Sequence, residues 1–372
     1  MEFTVRKTDL VRELSLTQGV VEKRTTIPIL SNVLIEARPD HIVLTATDLE
    51  LGIRCSSPAV VAKEGAGTLP ARRLLDYVRL LPDVDISFKF LENYWAAVNC
   101  GRSRTRIAGM SRESFPELPP MPAPLAEIPV HAVAGMIART IFAISTEESR
   151  FTLNGALLLL NRGGAAMVST DGHRLAYVEV TTDVMGLANP FRALLPRKAM
   201  SELLKLSQDA APGATVRFAA EENHLFFELG DRMLITRKLT GSFPDYERVL
   251  PKESKVTVSL NRDEVRAAIE RVAQFADERS HAMRIQLEHG EVRFYSSASE
   301  AGESEEAVPA DYDGSTFEIA FNANYILDFL RATASERICL GLRDPHSAAE
   351  ISPAGQEEDS YRYRYVLMPM RI

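Results

Sequence analysis

The densest group of reactive side chains is the run Ser169-Thr170-Asp171-Gly172-His173-Arg174-Leu175, which places a hydroxyl, a carboxylate and an imidazole side by side. In a hydrolase such groups would serve as nucleophile, acid and base, provided they converge in space with hydrogen-bond reach between them. Neighbouring residues of a strand point to opposite faces. Asp171-Gly172, between two strand-like runs, predicts a tight type I′ hairpin turn. The run therefore reads first as a turn that leaves a binding role open for the residues just after it, and a hydrolase centred on Asp171 and His173 stands as the alternative. No Walker A loop occurs, Gly65-Ala66-Gly67 lacks the rest of a dinucleotide fingerprint, and no G-x-S-x-G elbow is present. The seven histidines are dispersed without metal-ligand spacing, so neither a metal nor a cofactor is expected.

The elements that must position this run repeat along the chain. Two proline-rich stretches, Phe115 to Pro124 and Phe243 to Lys252, begin with the same Phe-Pro pair 128 residues apart and predict extended linkers. The segment at 70–81 has a counterpart at 196–207 and another at 321–333, each with the spacing of a short amphipathic helix. The apolar face is expected to hold Met200, Leu203, Leu204 and Ser207 in the second copy, and Tyr325, Ile326, Phe329 and Leu330 in the third. An earlier helix recurs as Asp9 to Val21, Val130 to Ser145 and Asn261 to Ala276, the last with Val265, Ala268, Ile269 and Val272 on one face. Strand-like alternation fills Ile42 to Cys55, Met167 to Val180, Val216 to Leu229 and Val292 to Ser296. Thr47-Asp48 and Thr170-Asp171 fall at matching places, 123 apart. These periods predict an α+β class, with three copies of one domain of two helices and an antiparallel sheet, at 1–124, 125–250 and 251–372. The acidic run Glu300 to Glu306 in the third copy is expected to be a solvated loop.

With 372 residues, 45% hydrophobic and 25% charged, the chain has the composition of a folded globular protein. No apolar run approaches the ~20 residues that span a bilayer. The beginning lacks the apolar stretch of a signal peptide. Three scattered cysteines, Cys55, Cys100 and Cys339, suit a reducing cytoplasm better than a disulfide framework. The net charge of −8 would by itself count against nucleic acid. That charge is segregated, however. Arg72, Arg73 and Arg79 against Asp76 leave the helix at 70–81 at +2, and Arg197, Lys198 and Lys205 against Glu202 leave 196–207 at +2. The six helical segments together hold +6, and the remainder holds −14. A basic helix face repeated by internal symmetry suits phosphates and carries little base specificity. Arg102, Arg104 and Arg106 alternate along one strand face, which is expected to be a solvent face and is a secondary candidate for binding.

At the end of the chain Tyr361, Tyr363 and Tyr365 alternate as in a strand, and Val366-Leu367-Met368-Pro369-Met370-Arg371-Ile372 follows. Methionines of this kind make adaptable apolar contacts.

Three α+β repeats, Thr170 to Leu175, Pro196-Arg197-Lys198, Phe243 to Pro251, the ending Met368 to Ile372, Thr26 to Asn32 and Leu153-Asn154-Gly155 together resemble the bacterial sliding clamps, the beta subunits of DNA polymerase III. The resemblance runs the length of the chain. It implies three repeated sliding-clamp domains with antiparallel sheets outside and two helices per domain inside, closing as a homodimeric ring. Such a ring encircles double-stranded DNA without sequence preference and tethers the replicative polymerase, with no catalysis of its own. A cytoplasmic location follows. By the same resemblance, partners insert a short motif of Gln and apolar residues into a pocket between the second and third domains. Those partners are the replicative polymerase alpha subunit, the clamp loader delta subunit, and other polymerases and repair proteins. Carried onto this sequence, the pocket wall is Leu153, Thr170, Gly172, His173, Arg174, Leu175, Pro244, Arg248, Val249, Val366, Met368, Pro369, Met370 and Arg371. The DNA-facing residues are Arg24, Arg72, Arg73, Arg150, Arg197 and Lys198. Two places depart from the family pattern. Asp344-Pro345-His346-Ser347-Ala348 carries Pro and His where small or apolar residues are expected, and Phe151-Thr152 stands in place of paired tyrosines. A scaffold of repeats that binds peptides without DNA is the remaining alternative, and it would lack a basic inner surface.

Overall fold

The computed structural model describes residues 1–22, 26–300, 302–355 and 361–371. Six helices fall where the apolar periodicity places them: α1 (Lys7–Thr17), α2 (Ala71–Leu80), α3 (Val130–Thr140), α4 (Arg197–Gln208), α5 (Arg262–Val272) and α6 (Ala323–Ala332). Each begins directly after a strand. On α5 and α6 the side chains of Asn261 and Asn322 accept N–H bonds of the first turn, satisfying donors that have no partner within the helix. The buried face of α5 is Val265, Ala268, Ile269 and Val272, as the spacing predicts. On α4 the face is rotated. Leu206 is buried beside Met200 and Leu203, while Leu204 and Ser207 are half-buried. Glu202 is buried as well, its carboxylate 2.7 Å from Lys205 Nζ. On α6, Leu327 is buried with Ile326, Phe329 and Leu330, and Tyr325 is left half-buried.

The described residues form two compact units. The first comprises Met1–His131, Met185–Ala188 and Lys198–Lys238. It contains a five-stranded antiparallel sheet in the order Val60–Lys63, Glu2–Arg6, Asp85–Phe90, Trp95–Cys100, Ser103–Ala108. Its eight-stranded sheet runs Ala126–Pro129, Thr215–Ala220, His224–Leu229, Arg232–Arg237, Leu51–Pro58, His41–Thr47, Asn32–Ala37, Gly65–Pro70. Strands of two repeats meet within it, at the ladder in which Arg232 faces Cys55 and Ile235 faces Gly52. Below that ladder, buried Glu13 of α1 takes both arms of Arg232, at 3.0 Å from Nε and 2.8 Å from Nη2. The main core of this unit packs Leu10 and Leu14 of α1 and Leu74, Leu75 and Val78 of α2 against Phe3, Ile35, Ile86 and Phe88.

The second unit comprises Ala132–Val184, Asn189–Arg197 and Leu239–Ile372. Its eight-stranded sheet runs Phe191–Pro196, Gly155–Asn161, Gly164–Thr170, Arg174–Thr181, Tyr361–Leu367, Ala349–Pro353, Arg337–Leu342, Val256–Asn261. Here too two repeats share a ladder: Leu175 faces Val366 and Ala176 faces Tyr365. A four-stranded sheet, Gly302–Pro309, Glu291–Ala298, Ala282–Glu288, Phe317–Asn322, completes the unit. The acidic run is therefore mostly strand and not loop. Alternation explains it, because Glu303 and Glu305 face solvent while Val308 is buried.

Both proline-rich stretches are docked segments and not free spacers. Phe115 is buried with Ile29, Leu30 and Leu34, and Leu118 and Met121 lie on Ala219, Phe226, Met233 and Ile235. Phe243 is buried with Leu157, Val168, Leu194 and Val366, and a 3₁₀ turn spans Tyr246–Arg248.

Candidate functional site

Three segments far apart in sequence converge in the second unit. The hairpin between strands Gly164–Thr170 and Arg174–Thr181 is longer than a two-residue turn, since Thr170 pairs with Leu175 and four residues lie between them. Only Gly172 adopts positive φ, at 90°, where a side-chain-free residue is favoured. Asp171 Oδ1 accepts the N–H groups of His173 (2.9 Å) and Arg174 (3.0 Å), and Thr170 Oγ1 accepts that of Gly172 (3.1 Å). The same turn occurs 123 residues earlier. There Asp48 Oδ1 accepts from Glu50 (2.9 Å) and Leu51 (2.6 Å), and Leu49 holds φ 78° in the place of Gly172.

Arg174 is the pivot of the site. Its Nε donates to Asp171 Oδ2 (3.0 Å), Nη1 to Asp328 Oδ2 (2.7 Å) and Tyr365 Oη (3.3 Å), and Nη2 to the Phe142 carbonyl (2.6 Å). Its guanidinium lies 4.3 Å from the Tyr325 ring centroid, a cation–π distance. Burial opposes the charge, but Tyr365, Asp328 and Asp171 outweigh it and hold the guanidinium firmly protonated. Tyr365 itself is fully buried, which pushes its phenol up, so it stays neutral. With Asp171 committed to the turn and to Arg174, and His173 pointing to solvent, these two residues form no catalytic dyad. The hydrolase alternative has no support.

Beside the hairpin lies an apolar cavity of about 130 Å³. Leu153, Thr170, Gly172, Arg174, Leu175, Pro244, Val249, Val366 and Met368 line it, together with Tyr246, which the carried-over set omits although it stands inside the Phe243-Pro244-Asp245-Tyr246 motif. Tyr246 is fixed by stacking on Tyr177, with centroids 5.9 Å apart. The other expected wall residues are near in chain but do not line the cavity. His173 accepts the Met368 N–H through its carbonyl (2.9 Å), and Met370 N–H donates to the Ala320 carbonyl (2.8 Å). Pro369 is half-buried and Arg371 exposed, while Arg248 is exposed and paired with Asp245 at 2.7 Å.

The expected DNA-facing residues divide. Arg72 and Arg73 are exposed on α2, opposite Ala71, Leu74, Leu75 and Val78, and make no ion pair among the described residues. Arg197 is exposed at the start of α4. Lys198 pairs with the nearly buried Asp48, so its charge is already answered within the first unit. Arg150 stands at the hairpin: Nη1 donates to the Asp171 carbonyl (2.7 Å) and Nε pairs with Glu147 (2.8 Å). Arg24 lies outside the described residues. Arg104 and Arg106 are exposed on the outermost strand of the five-stranded sheet.

An α+β chain of repeated domains, with an apolar cavity of side-chain size and no catalytic constellation at its densest polar cluster, has the form of a binding module. The family models for the N-terminal, central and C-terminal domains of the DNA polymerase III beta subunit match residues 1–119, 127–245 and 247–371. The chain is 35% identical over 378 residues to the beta sliding clamp of Pseudomonas putida, covering 100% of both proteins. It is 34% identical to the crystal structure of the DNA polymerase III subunit beta from Pseudomonas aeruginosa, with TM-score 0.92 and 100% of both chains covered. The sliding clamp of Bacillus subtilis gives the same TM-score, 0.92, at 25% identity. The chain belongs to the DNA polymerase III beta subunit family. Its function is that of a DNA sliding clamp, a non-catalytic processivity subunit of DNA replication.

Proposed function

We propose that this chain closes head to tail with a second copy into a ring around duplex DNA, and that the apolar cavity of the second unit receives short peptide motifs of its partners. The convergence of hairpin, linker and final strand on one cavity carries the peptide reading. Each segment alone is ordinary, and together they offer buried apolar walls with one fixed guanidinium at the rim, which suits an apolar side chain flanked by a polar amide. The crystal structure of a related Pseudomonas aeruginosa clamp, 34% identical, is described as bound to griselimycin.

Ring closure is supported by two sheet edges. The strand Ser103–Ala108 is outermost in the five-stranded sheet and exposes Arg104 and Arg106. The strand Gly302–Pro309 is outermost in the four-stranded sheet and exposes Glu303 and Glu305. Unpaired edge backbone flanked by side chains of opposite charge suits edge-to-edge pairing between copies, although Glu305 also lies 3.1 Å from Arg293 of its own chain. Arg72, Arg73 and Arg197 are the proposed phosphate contacts, and Arg24 and Lys198 complete the set carried from the family. Arg150 is better placed to support the hairpin beside the peptide site.

Three repeat domains are proposed, at 1–124, 125–250 and 251–372. The partners proposed are the polymerase alpha subunit, the loader delta subunit, and other polymerases and repair proteins with the motif. The location proposed is the cytoplasm; no helix among the described residues is long and apolar enough to cross a membrane. The decisive experiment loads the protein on nicked circular DNA. Retention that disappears when the circle is cut is expected, and equal retention on linear DNA overturns the ring.

A further inference from the structure

In the first unit a polar cavity of about 290 Å³ lies between the strands Asn32–Ala37, His41–Thr47 and Leu51–Pro58 and the linker that begins at Phe115. Arg38, Arg54 and Arg112 line it, against the carboxylates Glu36 and Glu117. Glu36 is taken by Arg38 at 3.3 Å, and Glu117 is exposed. Arg54 and Arg112 are half-buried, and their side chains make no hydrogen bond or ion pair among the described residues. Thr45 lines the same cavity. It is 3% exposed, and its hydroxyl has no partner among the described residues.

The fold does not require these side chains, because the second unit builds the same ladders without them. Thr45, paired with Leu34 and Arg54, corresponds to Val168, paired with Leu157 and Tyr177. Glu36 and Arg38 correspond to Leu159 and Asn161, and in the linker Arg112 corresponds to Thr240. Val168 is buried in an apolar cluster, and Tyr177 stacks on the linker residue Tyr246. Valine and threonine have nearly one shape, so the hydroxyl of Thr45 adds a desolvation cost and no packing. Half-buried guanidiniums without partners add to that cost. An anion in the cavity would offset both.

We infer that this cavity binds a phosphate group, with Arg54 and Arg112 as its charged donors. Guanidinium forks match phosphate oxygens in pairs, and a phosphate has oxygens for two forks and a hydroxyl where a carboxylate has only two. A turn of about 120° around the Cα–Cβ bond of Thr45 exchanges its methyl and hydroxyl and brings the O–H to the anion. The space exceeds that of the bare ion, so the phosphate arrives free or as a monoester. The inference is independent of the ring and of the peptide cavity.

The test titrates inorganic phosphate and adenosine 5′-monophosphate into full-length protein and follows the broadening of the phosphorus NMR line. Saturable broadening is expected in wild type. Arg54→Met and Arg112→Met should each weaken affinity about tenfold, the loss of one charge-assisted bond. Thr45→Val should weaken it several-fold while the ligand-free protein melts at or above the wild-type temperature, a combination that a purely structural hydroxyl would not give. Arg72→Ala with Arg73→Ala should leave the affinity unchanged. Tighter binding of the nucleotide than of the ion identifies a monoester as the ligand, and equal or weaker binding identifies the free ion. Absence of saturation overturns the inference. So does wild-type affinity in a folded Arg54→Met protein, or loss of binding in the Arg72 and Arg73 variant, which would place the ion on α2.

Discussion

Arg174 Nη1 lies 2.7 Å from Asp328 Oδ2, which ties the strand that edges the apolar cavity to the helix α6. The guanidinium is held on every side by Asp171, Asp328, Tyr365 and the Phe142 carbonyl, so the cavity rim is set before a ligand arrives. Asp328→Asn removes one charge-assisted bond of a kind that contributes about 1.5–3 kcal/mol. Peptide affinity should fall several-fold with the dimer intact. Unchanged affinity by fluorescence anisotropy would show that Asp328 does not position Arg174.

Glu13 and Arg232 form a buried pair in the first unit, with Cys55 opposite Arg232 in the ladder. The thiol of Cys55 is pushed up by burial and by Glu13, so it stays protonated and unreactive. Glu13→Gln should cost about 1.5–3 kcal/mol in urea unfolding, because Arg232 loses its charged two-armed partner and keeps only Asp209, 3.6 Å away. Replacing both by Leu and Met should recover most of that stability, and failure to recover would point to packing and not charge.

Arg72→Ala with Arg73→Ala should lower the slope of log K against log salt for DNA by about 0.9 for each phosphate no longer neutralised. Lys198→Ala should change it less, because Asp48 already pairs with that ammonium. Equal effects would refute this division of the basic residues.

The charges on the two sheet edges supply a swap. Arg104→Glu with Arg106→Glu should dissociate the dimer in sedimentation, and Glu303→Arg with Glu305→Arg added in the same chain should restore it. Persistent dimers in the first variant would place the contact elsewhere.

The Arg271 guanidinium bonds both oxygens of Glu306, at 2.7 Å each, and holds that carboxyl below its ordinary 4.5. A carboxyl whose folded value is depressed contributes stability above its unfolded value and loses it as pH falls through the folded one. Glu306→Gln should therefore be less stable than wild type at pH 7, by at most about 1 kcal/mol for so open a pair. The gap should close as pH falls below 4.5, and a gap that persists in acid would show that the ion pair is not its source.

Much of the architecture is visible in local pattern. The face of α5 follows from a strict i, i+3, i+4, i+7 series, and the buried tyrosines of Tyr361–Leu367 follow from alternation. The face of α4 does not, because Leu203, Leu204 and Leu206 permit two phases, and burial of Glu202 beside Lys205 accompanies the one observed. The hairpin, linker and tail each stand out in sequence. Their meeting depends on ladders between repeats, a long-range register that no local period encodes. Arg150 illustrates the limit: its charge is plain in sequence, but its bond to the Asp171 carbonyl is a property of the folded turn.

The ladder between Arg174–Thr181 and Tyr361–Leu367 has a consequence for synthesis. On a ribosome adding about 5–20 residues per second, the first strand waits roughly ten to forty seconds for its neighbour. Throughout that interval it is an open edge, and the cavity lacks the wall made by Val366 and Met368. The cavity is therefore complete only after nearly the whole chain has been made and its last strand has joined the ladder.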